Sequence, residues 1–215
     1  ETFTYKVTDN GGLESNVGTA TITINAVNDA PVSSAVSAST NEDTAKAITL
    51  SATDVDTGDS LTYSIVSNPS NGSLGSVSGA NVTYTPTANW NGTDTFTYKA
   101  NDGTVDSNTA TITVTVTAVN DAPTTNNVSR STNQDTAVDI TLSAEDPDAT
   151  ILTFSVVSGP SNGTVTLDNN TLPLGAIATY TPNTGWNGTD TFTYKANDGT
   201  DDSNISTVDI SVTSD

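Results

Sequence analysis

"DTFTYKANDGT" at residues 94–104 sets its apolar side chains at every second position, with Phe96, Tyr98 and Ala100 on one side and Thr95, Thr97 and Lys99 on the other. Period two marks a strand half buried in a sheet, not a helix. The same eleven residues return at 190–200. "AVNDAP" ends at Pro31 and again 92 residues later at Pro123, while the two "DTFTYKANDGT" copies lie 96 residues apart. A longer loop around residues 167–175 is expected to absorb the difference. Internal repetition of this length means modules in tandem. We therefore expect one module at residues 28–119 and a second at 120–215. Residues 1–27 match only the tail of a module and are expected to be the C-terminal hairpin of a truncated preceding one.

The alternation extends through each module. Ile48, Leu50 and Ala52 share one face of a strand, and Leu61, Tyr63 and Ile65 share a face of the next. Val82 with Tyr84, and Ala110 with Ile112, Val114 and Val116, continue the pattern. Threonine fills most outward positions, where its branched Cβ suits the pleat. "SNG" and "WNG" between the runs read as tight turns that need a left-handed residue. With a first strand near residues 32–37, this makes about seven strands per module, the rhythm of a Greek-key β-sandwich. The fold class is all-β. The first hairpin carries Phe3, Tyr5, Ile22 and Ile24 on one face. Two strands alone are marginal in water, so that face is expected to dock on a neighbouring module or on another chain.

The chain has 215 residues, five Lys plus Arg against 25 Asp plus Glu, and a formal charge of -20. Nucleic acid and anionic membrane surfaces would be repelled, and no apolar run reaches the roughly 20 residues that span a bilayer. There is no Cys and no His, so thiolate nucleophiles, disulfides and the commonest general base are missing. The acidic residues recur in repeated linker phrases and not in one unique cleft, which argues against paired-carboxylate catalysis. A non-enzymatic role is expected.

What repeats instead is oxygen chemistry. "LSATDVDTGDSLTYSI" at 50–65 and "LSAEDPDATILTFSV" at 142–156 each place two aspartates one residue apart, Asp54/Asp56 and Asp146/Asp148. In an extended segment such residues point the same way about 6.5 Å apart, so their carboxylates could close on one hard cation. Calcium accepts six to eight oxygens in irregular geometry, whereas magnesium demands an octahedron. Further oxygen donors stand at matching places: Asn28 and Asp29 with Asp102 for the first module, Asn120 and Asp121 with Asp198 for the second, and Glu42 ahead of the second strand. Trp90 and Trp186 each follow a strand and precede Asn-Gly, which reads as a cap on the core. Solvent-facing tryptophans would instead favour a carbohydrate-binding accessory module of a polysaccharide-degrading system. Lys99 and Lys195 point outward by alternation, which argues against a buried isopeptide bond.

These phrases resemble a known family. "LSATDVDTGDSLTYSI" is similar to the cadherin A-x-D-x-D-x-G pattern, "YKANDG" to the cadherin A-x-D-x-G ending and "VNDAP" to its linker, and the nearer likeness is to bacterial cadherin-like tandem repeats of large secreted or surface proteins. The resemblance implies calcium between successive modules, stiffening an extracellular spacer or adhesion segment. It implies a central junction built from Glu42, Asn120, Asp121, Asp146, Asp148 and Asp198, and a partial upstream one from Asn28, Asp29, Asp54, Asp56 and Asp102. It also implies adjacent modules, a second copy of the chain or a cell-surface glycan as partners. Two departures stand out: Gln134 replaces the glutamate in module 2, and "NWNGTD" occupies the place of the family's D-R-E motif.

Overall fold

The computed structural model describes residues 1–56, 58 and 60–214. Its described residues are strands and turns without a helix, so no helix is long and apolar enough to cross a membrane. The chain divides into two compact units, one ending at Thr117 and the other beginning at Ala118.

In the first unit, β1 (Thr2–Tyr5) and β2 (Gly18–Thr21) form an antiparallel hairpin. Nine segments follow: β3 (Val32–Ser33), β4 (Val36–Asn41), β5 (Lys46–Thr49), β6 (Ala52–Thr53), β7 (Thr62–Ser67), β8 (Gly72–Leu74), β9 (Asn81–Pro86), β10 (Gly92–Asn101) and β11 (Ala110–Thr117). One sheet has the order β4-β11-β10-β7; β5-β9-β8 and the short pair β3-β6 carry the other face. The expected first strand is thus divided. Its β3 part pairs with β6, and its β4 part crosses to run parallel to β11. Counting β3 with β4 and β5 with β6 recovers the seven-stranded sandwich. Ile48, Leu50, Val82, Tyr84, Phe96, Tyr98, Ile112 and Val114 fill the space between the sheets, as the alternation required.

The second unit repeats this with β12 (Thr124–Thr125), β13 (Val128–Asn133), β14 (Val138–Glu145), β15 (Thr153–Ser158), β16 (Gly163–Leu172), β17 (Gly175–Pro182), β18 (Gly188–Asn197) and β19 (Ser206–Thr213). The sheets are β13-β19-β18-β15 and β12-β14-β17-β16 around Ile140, Leu142, Phe154, Tyr180, Phe192, Tyr194 and Ile210. The four residues that break the repeat do not make a loop. They lengthen β16 and β17 into a hairpin whose register slips between Asp168 and Leu172. Asn169 then reaches across, its side chain donating to the Phe154 carbonyl and accepting from the Phe154 N–H. Strand propensity and a free edge on β15 favour extension over a loop.

The expectation for the turns needs correction. The "WNG" glycines do take left-handed backbone, with Gly92 and Gly188 both at φ 139°, but the "SNG" glycines do not. Gly72 and Gly163 are needed for close approach: a Cβ on Gly163 would stand 2.5 Å from Tyr180 Cε2 and 2.6 Å from the Thr181 carbonyl oxygen. Gly163→Ala should therefore destabilise the second module by about 2 kcal/mol or more through overpacking, read by calorimetry as a lowered transition for that module alone. In the first hairpin, where Tyr5 pairs opposite Gly18, Phe3 is 55 % and Ile24 78 % exposed.

Candidate metal centre

A further correction concerns the Asp-x-Asp pairs, which lie in bends just past a strand and not in extended backbone. Asp54 Oδ1 accepts the Asp56 N–H at 2.9 Å, and Asp146 Oδ1 accepts the N–H groups of Asp148 at 2.8 Å and Ala149 at 2.6 Å. Aspartate folds back on backbone two residues ahead in this way wherever a turn starts. One oxygen of each first aspartate is used up in holding the bend. The second oxygens, Asp54 Oδ2 and Asp146 Oδ2, are buried and have no hydrogen-bond partner among the described residues.

The bend is tied to the linker by the second aspartate. Asp56 Oδ2 accepts the Asp29 N–H at 2.8 Å, and Asp148 Oδ2 accepts the Asp121 N–H at 2.9 Å. The adjoining asparagine reaches the Asn-Asp-Gly turn: Asn28 donates its amide to Asp102 Oδ2 at 2.9 Å, and Asn120 donates to Asp198 Oδ2 at 2.8 Å. Asp102 Oδ1 in turn accepts from the N–H groups of Thr104 and Val105, and Asp198 Oδ1 from those of Thr200 and Asp201. The N–H of Val105, the Asn28 amide and the N–H of Thr104 hold Asp102 below the usual carboxylate range. The N–H of Asp201, the Asn120 amide and the N–H of Thr200 do the same for Asp198.

Each module therefore gathers its own linker pair, Asp-x-Asp bend and Asn-Asp-Gly turn at one end of the sandwich. Asn28, Asp29, Asp54, Asp56 and Asp102 come together in the first module, and Asn120, Asp121, Asp146, Asp148 and Asp198 in the second. Glu42 does not belong to the first set. It is 3 % exposed and its N–H bonds the Thr117 carbonyl, at the far end of β11 from Asp102. Asp201 is an addition that the sequence reading passed over. Its Oδ2 accepts from Asn120 at 3.1 Å, and Val105 stands in its place in module 1. The signal was available, since "NDGTDD" differs from "NDGTVD" at that position.

Among the described residues no three acidic side chains already converge as a metal cage. The donor set is nevertheless all oxygen, and a buried carboxylate oxygen without a donor is costly unless a cation neutralises it. The residues present thus suit a hard divalent ion.

Trp90 and Trp186 are half-buried and pack against the cores of their modules, as expected of caps. Lys99 and Lys195 lie at the surface and pair with Asp106 and Asp202.

A family model described as "Bacterial Ig domain" matches residues 28–115 and 120–211. No curated protein matches. Among solved structures, mouse cadherin-23 EC22-24 is 21 % identical with a TM-score of 0.56 over 100 % of this chain and 74 % of that one. Human mucin-like protocadherin EC1-2 is 17 % identical, TM-score 0.49, over 86 % of this chain and 98 % of that one. An endo-fucoidan hydrolase from glycoside hydrolase family 107 is 22 % identical, TM-score 0.37, over the whole of this chain, which spans 34 % of that protein. The cadherin-23 likeness is one of fold.

Proposed function

This chain belongs to the bacterial Ig domain family, and on that premise we propose that it is a calcium-stabilised, non-catalytic extracellular spacer or adhesion segment of a larger bacterial protein. The observation that carries the reading is the buried oxygen on Asp54 and on Asp146 that meets no donor among the described residues, beside a linker asparagine and aspartate that are already positioned. Asn28, Asp29, Asp54, Asp56 and Asp102 would hold the ion in module 1, and Asn120, Asp121, Asp146, Asp148 and Asp198 in module 2. Glu42, just ahead of the linker on the preceding module, is proposed as a further ligand for the second site. When bound, calcium would supply the positive charge that these carboxylates lack and would resist bending at the linker.

Calorimetric titration tests the reading. Calcium should bind with a dissociation constant on the order of 10⁻⁴ to 10⁻³ M, or tighter where sites couple, and magnesium should compete poorly. No heat with calcium, or equal preference for magnesium, would overturn it. Small-angle scattering should show a narrower spread of dimensions with calcium than with chelator. Trp90 and Trp186, half-buried against the cores of their modules, do not favour the carbohydrate-binding alternative.

A further inference from the structure

The two modules treat one sheet edge differently. In module 2, Asn169 lies along β15 and occupies its outward backbone, giving its amide to the Phe154 carbonyl at 3.0 Å and accepting the Phe154 N–H at 2.8 Å. In module 1, β8 ends at Leu74, and among the described residues no hydrogen bond reaches the outward N–H and C=O groups of Tyr63 or Ile65 on β7. We propose that the β7 edge is a self-association site, which pairs antiparallel with β7 of a second copy of this chain about a two-fold axis beside Ser64.

Which groups face outward follows from β10. Ala100, opposite Tyr63, gives its N–H to Ser107 Oγ at 2.9 Å and accepts the Ser107 N–H at 2.9 Å. Its backbone therefore points away from β7. In an antiparallel ladder the backbone of Tyr63 must then point away from β10, and strand alternation turns Ile65, opposite Tyr98, the same way. These are the groups that Asn169 satisfies at Phe154 in module 2 and that stay open here.

The strand is self-complementary about Ser64. Tyr63 opposite the second copy's Ile65 would exchange both N–H···O bonds, and Ile65 opposite the second copy's Tyr63 would do the same, with Ser64 facing Ser64 between them. The side chains match as well. Phe154, behind its guard, is 2 % exposed, whereas Tyr63 in the same place is only half-buried, as is Ile65. Across the axis each would gain the other as an aromatic to β-branched neighbour. On the outer face Val66, 51 % exposed, would lie opposite Thr62. A slip of one residue would turn the apolar pair to solvent.

Charge selects the occupant. Residues 60–93 carry no charged side chain, the longest such run in a chain of formal charge -20. Two copies repel each other elsewhere, but not along β7. A neutral edge on an acidic chain fits a second neutral edge. Edge strands are ordinarily blunted by lysine, proline or an inward-pointing charge, and β7 has none of these. Its register shift beyond Ile65, opposite Thr97 and Tyr98, ends the flat stretch and keeps the contact short. On the strand that guards β15, by contrast, Asp168 stands next to Asn169.

Disulfide trapping tests the pairing. The chain has no cysteine, so Ser64→Cys supplies a single thiol, on an exposed side chain that leaves the core alone. Facing Cα atoms of a non-hydrogen-bonded pair lie about 4.5 Å apart, inside the span of a disulfide. The whole 215-residue chain is oxidised in chelator, which separates this inference from the calcium reading. Ser64→Cys should form a covalent dimer at least about tenfold faster than Ser155→Cys, its exposed equivalent on the guarded β15 edge. Sedimentation equilibrium supplies a second arm without oxidation. Ser64→Asp sets like charges directly opposite each other and should weaken self-association at least about tenfold, whereas Ser155→Asp should leave it unchanged. Equal trapping of the two cysteine variants would mean random collision. A Ser64→Cys chain that stays monomeric would leave the edge to solvent or to an extended peptide of another protein. Either result overturns the proposal.

Discussion

Asp190→Ala should remove about 3 kcal/mol or more from module 2 and leave module 1 untouched. Asp190 is 4 % exposed. Its Oδ1 accepts the N–H groups of Ser161 at 2.9 Å and Thr191 at 3.0 Å, while Oδ2 accepts the Asn162 N–H at 2.8 Å and the Tyr180 hydroxyl at 3.0 Å. One carboxylate thus ties the turn before β16, the start of β18 and a core tyrosine of β17. Truncation leaves four donors without the acceptor that joins them. Calorimetry should show the module 2 transition lowered by more than about 10 °C, given the size of the domain. A shift below about 3 °C would mean that the neighbours rearrange to satisfy themselves. Asp94 makes the same bonds to Ser70, Asn71, Thr95 and Tyr84 in module 1, so Asp94→Ala should act there in the same way.

The same links set how stability depends on pH. Burial works to raise the Asp190 carboxyl, but its hydrogen bonds from Ser161, Asn162, Tyr180 and Thr191 outweigh it and hold the group below the usual range. A depressed folded pKa contributes stability above the unfolded value and loses it as pH falls through the folded one. Module 2 should therefore resist acid until below the ordinary carboxylate range. At the alkaline end the sign reverses: burial, then the hydrogen bond and charge of Asp94, push the Tyr84 hydroxyl from 10.0 up to about 12. Its contribution is complete below pH 10 and fades as pH rises toward 12. Denaturant titrations across both ranges would check this.

The second large effect is on calcium. Asp146→Asn together with Asp148→Asn keeps the side-chain shapes that hold the bend and removes both charges of the bend. Calcium affinity of module 2 should drop by more than about tenfold, because both changes replace ionised oxygens that a hard cation prefers. Far-ultraviolet circular dichroism should be unchanged, since Ile140, Leu142, Tyr180 and Phe192 lie within the module's own core. Unaltered calcium binding would place the ion elsewhere, and a lost strand signal would make the bend part of the folding core.

The sequence by itself determined which side chains face inward. Period two placed Phe96, Tyr98 and Ala100 in the core without reference to a partner, because strand geometry alone alternates faces. The same parity puts Asp94 and Asp190 on that inward face. A buried carboxylate was therefore legible in "NGTD", and only the assumption that acids stay outside hid it. The repeat also brought two matching sets of oxygen-bearing residues into view, since matching phrases in two modules must occupy matching places.

What the tertiary structure alone decided is how segments distant in sequence meet. No local pattern says that the first strand divides so that β4 lies parallel to β11; that depends on which sheet has a free edge. The bend at Asp54 and Asp146 replaced an extended pair because each first carboxylate turns back to accept the N–H of Asp56 or Asp148, which an extended backbone would point away. Gly163 owes its necessity to Tyr180, seventeen residues away along the chain and 2.5 Å from where a Cβ would sit. Periodicity is a property of one strand, whereas register, close approach and hydrogen-bond supply are properties of the pairing, and these are settled only when both partners are in place.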